Sequence, residues 1–164
     1  FLAAQADLQA FELDIYLNSP DLLAEALTKF EAALAQDRSQ PLVLLAYASL
    51  LERVDREGAI AAYEEVIALG GDAEFMARFN LGALHVNQAA ELGRRANQAE
   101  DDPTYQVLTE QVHAAMSQAR PHLERAHELD PKDKATLTAL EQITIQLNDA
   151  EAYQAYKAKR EALP

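Results

Sequence analysis

The chain has 164 residues, no cysteine, and 27 acidic against 14 basic residues, which gives a formal net charge of −13. The absence of cysteine excludes disulfides, thiolate metal sites and a cysteine nucleophile. The acidic balance disfavours a nucleic-acid partner, because phosphate binding needs clustered Lys and Arg. No apolar run approaches the roughly 20 residues that span a bilayer, so we expect no membrane insertion in this segment. The chain starts at Phe1 rather than Met, and we therefore expect a piece of a longer protein.

Apolar residues recur with a helical period along nearly the whole chain, and eight helices are predicted. Ser19-Pro20 and Asp102-Pro103 each place a capping side chain before a proline that can start a helix. Gly70 and Gly71 are typical of a helix end. The predicted helices cover residues of about 3–17, 20–36, 40–54, 56–69, 73–99, 103–129, 133–147 and 149–162.

Short apolar segments repeat along these helices. The segment "ALTKFEAAL" (26–34) aligns with "AIAAYEEVI" (59–67), and "ARPHLERAHELDP" (119–131) is a third copy. Small residues at such spacing let two antiparallel helices approach closely, and the proline ends the second helix. The pattern predicts repeated helix pairs.

On these residues, and on "FNLGALH" (79–85) with its Leu81-Gly82 pair, the chain resembles the tetratricopeptide repeat (TPR) family. The unit of that family is a helix-turn-helix of about 34 residues. His85 stands where the family usually has an aromatic residue. The resemblance implies an all-α, right-handed α-solenoid of four TPR-like helix pairs in a single domain over residues 1–164. The expected pairs cover about 3–36, 40–69, 73–129 and 133–162.

The third pair is longer than the others by about 25 residues, if Gly82 faces Ala119 as in an ordinary repeat. That pairing matches Gly93 with Leu108 and centres the turn in "AEDDP" (99–103). Small residues then face larger ones along a heptad seam, as a close-packed hairpin requires. We therefore predict a long antiparallel helical hairpin, about 18 Å longer than its neighbours.

No pattern for catalysis stands out. His122 and His127 lie on different sides of one helix, and His85 and His113 are offset from each other across the predicted hairpin. The chain has no His-Glu-x-x-His motif and no phosphate-binding glycine loop. We expect no enzyme activity, no cofactor and no metal, with surface or packing roles for all four histidines.

The resemblance implies a non-catalytic scaffold or adaptor that binds a protein or peptide in a concave groove. An apolar-to-amide groove of this kind suits an extended or helical peptide. The alternative is that Leu44 and Phe79 are covered by the next helix. The groove positions implied by the family are Leu44, Ala48, Glu52, Phe79, Ala83, Asn87, Thr138, Gln142 and Gln146.

Two other functions stay open. The hairpin, residues 86–118, could dock a partner or a second copy through Leu92 and Val107, although both could be lone surface apolars. The segment could also be the regulatory domain of a larger enzyme. The long-hairpin form looks like bacterial members of the family, and both a cytoplasmic and a periplasmic or cell-envelope location are compatible with the sequence.

Overall fold

The computed structural model describes residues 20–164, and within them it is all-helical, with seven α-helices and no strand. The predicted helix 3–17 lies outside the described residues. Among residues 20–164, no helix combines the length and the apolar content that crossing a bilayer requires. A 3₁₀ turn, Gly71–Ala73, precedes the fourth helix. The helices are α1 (Pro20–Gln36), α2 (Pro41–Leu51), α3 (Arg56–Leu69), α4 (Glu74–Ala96), α5 (Asp102–Leu129), α6 (Lys134–Gln146) and α7 (Ala150–Glu161).

The helix boundaries follow local signals in the sequence. Gly70 and Gly71 have positive φ angles of 69° and 78°, a conformation that glycine adopts at little cost, and α3 ends at Leu69 as predicted. At the end of α4, the N–H of Ala99 bonds to the carbonyl of Ala96, three residues back. Such bonds tighten a last turn, so the regular helix ends at Ala96 rather than at 99.

Aspartate caps start four of the helices, namely α3, α5, α6 and α7. In each case the carboxylate accepts a hydrogen bond from the backbone N–H three residues later, which satisfies a donor that has no partner inside the helix. The caps are Asp55, Asp101, Asp133 and Asp149.

The chain divides into two compact units, one that ends at Ala77 and one that covers Arg78–Pro164. In the described part of the first unit, α2 packs against both α1 and α3. Leu23, Ala26 and Leu50 form a buried cluster between α1 and α2. The Arg38 guanidinium donates two hydrogen bonds to the Glu65 carboxylate, of 2.6 and 2.8 Å, and so connects the α1–α2 turn to α3.

The second unit has a core shared by α4, α5 and α6. Helix α7 packs against α6, and its Tyr156 lies against the same core. The buried members of this core are Ala89, Ala115, Met116, Ala119, Leu123, Leu140 and Ile143. The right-handed stacking of TPR-like pairs stays a prediction.

Helices α4 and α5 form the predicted hairpin, but the side chains that cover its glycines come from residues one turn further along α5 than predicted. A Cβ built on Gly82 would lie 2.5 Å from the Cγ of Leu123, so Leu123 and not Ala119 fills the space beside this glycine. At Gly93 the nearest atom is the Cγ2 of Val112, at 4.0 Å, and not Leu108. Helical side chains lean toward the N-terminus of their own helix, so a large residue one turn further along α5 covers each glycine.

We expect Gly82→Ala to destabilise the protein by about 1–3 kcal/mol, because the new methyl group overlaps the Leu123 side chain. Gly93→Ala is the matched control in the same helix. Its methyl group meets only an ordinary contact, and the loss of a helical glycine should stabilise the protein by about 0.5–1 kcal/mol. Urea unfolding followed by circular dichroism measures both changes. Equal effects of the two substitutions would contradict the close contact at Gly82.

Candidate functional site

Six of the nine predicted groove residues lie in the second unit, and four of them are exposed. Asn87 is on α4, and Thr138, Gln142 and Gln146 are on α6. Phe79 and Ala83 of α4 are half-buried. Phe79 packs against the core of this unit, so its side chain contributes more to the interior than to the exposed surface. The exposed four are all polar and uncharged, and we call the three on α6, Thr138, Gln142 and Gln146, the amide face.

Helix α6 exposes its uncharged residues because its apolar residues are on the other side. Leu137, Leu140 and Ile143 are completely buried, and they follow helical spacing along one side. Thr144 is buried with them, and its hydroxyl donates to the carbonyls of Leu140 and Glu141. This bonding removes the cost of burying a hydroxyl group.

Both charged side chains of α6 have hydrogen-bond partners, although Lys134 in the first turn is itself exposed. The carboxylate of Glu141 accepts hydrogen bonds from the Arg160 guanidinium of α7, the shorter one of 2.5 Å. The Lys134 ammonium donates to the backbone carbonyl of Pro164. Ile145, which the groove prediction did not include, is 56% exposed beside Gln142 and Gln146. The helical periodicity could have indicated this exposure, because Ile145 lies outside the row of buried residues on α6.

The three predicted groove residues of the first unit are buried or half-buried. Leu44 and Ala48 have no exposed surface, so a partner cannot contact them in this structure. This agrees with the alternative in which Leu44 is covered by the chain itself. Glu52 is half-buried and accepts a hydrogen bond from the Tyr63 hydroxyl. Burial raises the pKa of the Glu52 carboxyl, and the bond from Tyr63 opposes that shift.

The two predicted hairpin residues differ in exposure. Leu92 is half-buried, whereas Val107 is 54% exposed. Val107 lines a shallow depression of about 350 Å³ near the turn of the hairpin. The other lining residues are Arg95, Pro103, Thr104, Leu108 and Gln111.

The structure pairs His85 with His122 and not with His113. The two rings stack across the hairpin, with centroids 6.2 Å apart and planes at 19°, and His85 is buried. Burial is the largest cause that lowers the pKa of His122, followed by the charges of His85 and Arg78. Within residues 20–164, no group of three or more His, Asp or Glu side chains is placed to hold a metal ion.

No protein-family model and no curated protein matches the chain. Among solved structures, six chains are similar. One, described as "MamA RS-1 ArsTM double mutant", matches 95% of this chain over 92% of its own length. Its sequence identity is 19% and the TM-score is 0.39. This similarity is too distant to place the chain in a family.

The His85–His122 pair should make stability depend on pH. Because the folded pKa of His122 is lowered, the unfolded chain takes up the proton more readily, near a pKa of about 6.5. Stability from this group is therefore fully present above that pH and is lost as the pH falls toward the folded pKa. We expect His122→Gln to reduce the loss of unfolding free energy between about pH 7.5 and 5.5.

The measurement is urea unfolding at both pH values. His113→Gln is the control, since His113 is exposed on α5, and it should keep the pH dependence of the parent. If His122→Gln loses as much unfolding free energy between the two pH values as the parent does, the role of the stacked pair is contradicted.

Proposed function

We propose that the chain is a non-catalytic protein-interaction module that binds an extended or helical peptide on the amide face. The observation that supports this most is the run of exposed uncharged side chains from Thr138 to Gln146 on α6, in a chain of net charge −13. Exposed helix surfaces of an acidic protein usually carry charge. Here Glu141 bonds to Arg160 and the exposed Lys134 of the first turn bonds to Pro164, while the following turns expose Thr138, Gln142, Ile145 and Gln146.

The chemistry of these side chains suits a peptide backbone. Each Asn or Gln amide can donate two hydrogen bonds and also accept, so it can pair with a backbone N–H or C=O whatever the peptide sequence. Ile145 adds an apolar contact at the same end of α6 as Gln146. A surface of this composition favours a peptide without need for complementary charge.

The packing of α6 against the core also fixes the position of the amide face. Leu137, Leu140 and Ile143 anchor α6 in the core, and Arg160 fixes Glu141 beside it. A surface that is ordered before binding loses less conformational entropy when the partner arrives. The same proposal takes α2–α3, α4–α5 and α6–α7 as TPR-like helix pairs, supported by the packing of α2 on α3 and of α6 on α7.

The test is a peptide selection against the immobilised full chain, followed by calorimetry with the best synthetic peptide. We expect Gln142→Ala and Gln146→Ala each to weaken binding by about three- to tenfold, because each removes a hydrogen bond worth about 0.5–1.5 kcal/mol. Gln154→Ala is the matched control, since Gln154 is equally an exposed amide but lies on α7.

Two results would contradict the proposal. One is a selection that yields no binding peptide. The other is a set of peptides whose affinity is unchanged by Gln142→Ala and Gln146→Ala, or is lowered to the same degree by Gln154→Ala. Circular dichroism on each variant shows whether an altered affinity reflects the surface and not the fold.

A further inference from the structure

Helix α7 packs on α6, and side-chain contacts also connect it to α5. At the start of α7, the Arg120 guanidinium of α5 donates a hydrogen bond to the cap residue Asp149. Further along, the Tyr156 hydroxyl of α7 donates to the Glu124 carboxylate of α5. None of the residues of α7 is fully buried, so half-buried and polar side chains decide how close α7 stays to α5.

Near the end of α7, the contact with α5 joins two nitrogen atoms. The Nζ of Lys159 lies 3.2 Å from the Nε2 of His127. A lysine ammonium group can only donate a hydrogen bond, so the Nε2 of His127 accepts and carries no proton. The proton of the neutral ring is then on Nδ1, which is buried and has no hydrogen-bond partner within residues 20–164. This contact therefore requires a neutral imidazole.

Protonation of His127 removes the contact. An imidazolium ring has two donors and no acceptor, so the bond from Lys159 is lost and two positive charges face each other. Burial, followed by the charge of Lys159, lowers the pKa of His127, while Glu128 and Asp130 oppose that shift. The Tyr156 ring, which meets the imidazole edge-on with centroids 6.3 Å apart, carries no charge. Protonation therefore favours arrangements in which Lys159 is further away, increasingly so as the pH falls.

We propose that His127 and Lys159 form a pH-sensitive latch, which holds the end of α7 on α5 near neutral pH and releases it from α5 on acidification. The other contacts named above use carboxylate, tyrosine and arginine groups, which ordinarily do not titrate between about pH 5.5 and 7.5, whereas imidazole does. Arg160 bonds to Glu141 of α6, so α7 stays on α6 while it separates from α5. Tyr156 lies against the core of the second unit, and the opening uncovers part of that core.

Distances between spin labels test the latch on the full chain. Because the chain has no cysteine, two introduced cysteines are the only labelling sites. Ser117 of α5 and Ala158 of α7 are both exposed, so Ser117→Cys with Ala158→Cys reports on the separation of the two helices. Pulsed electron spin resonance should show a longer distance becoming populated between about pH 7.5 and 5.5. The ratio of the long to the short form should rise about three- to tenfold, as expected for two like charges in contact near water.

Four further samples isolate the latch. His127→Gln should keep the short distance at both pH values, since its amide can accept from Lys159 and takes up no proton. His127→Arg should favour the long distance at both. His122→Gln, which changes another half-buried histidine of α5, should retain the response of the parent. Labels at Ala135→Cys of α6 and Ala158→Cys should report no change of distance.

A distance between Ser117 and Ala158 that is the same at both pH values in the parent overturns the proposal. So does a response to pH that persists in His127→Gln. An equal change between Ala135 and Ala158 also overturns it, because α7 would then loosen as a whole. Circular dichroism on every variant at both pH values separates opening of the latch from loss of helix.

Discussion

The close approach of α4 and α5 at Gly82 is the constraint on which the second unit depends. Only a hydrogen atom on the Cα of residue 82 leaves room for the Leu123 side chain, which is fully buried. Ala89, Ala115 and Ala119 continue the same narrow contact along the hairpin. Small residues bring the two backbones near each other, and the remaining volume is filled by a few large side chains such as Leu123 and Met116.

Helix α7 is held by half-buried side chains and by polar contacts, and none of its residues is fully buried. Arg120 of α5 pairs with Glu124 and with the cap residue Asp149, and Tyr156 donates to the same Glu124 carboxylate. Each partly exposed pair contributes little stability alone. Together they fix where α7 lies against α5 and α6. Because Arg160 then reaches Glu141, the same arrangement pairs the acidic side chain of α6 with a cation of α7.

Features that depend on residues close together along the chain were predicted from the sequence. Features that depend on contacts between helices were not. Gly70 ends α3 through backbone geometry alone, so α3 was predicted correctly. The side chains that cover Gly82 and Gly93 lie one turn further along α5 than predicted, because pairing residues by height ignores the lean of side chains. The family pattern placed Leu44 and Ala48 in the groove. In the structure both are completely buried, and this burial depends on neighbouring helices, which the pattern does not describe. His122 was not recognised as the partner of His85, because the lean of side chains was ignored there as well.

The proposed peptide surface on α6 would obtain its affinity from hydrogen bonds and from one aliphatic side chain, Ile145. The amides of Gln142 and Gln146 can each donate and accept, so under that proposal peptides of many sequences can bind. Because none of these contacts is an ion pair, the affinity should depend little on ionic strength.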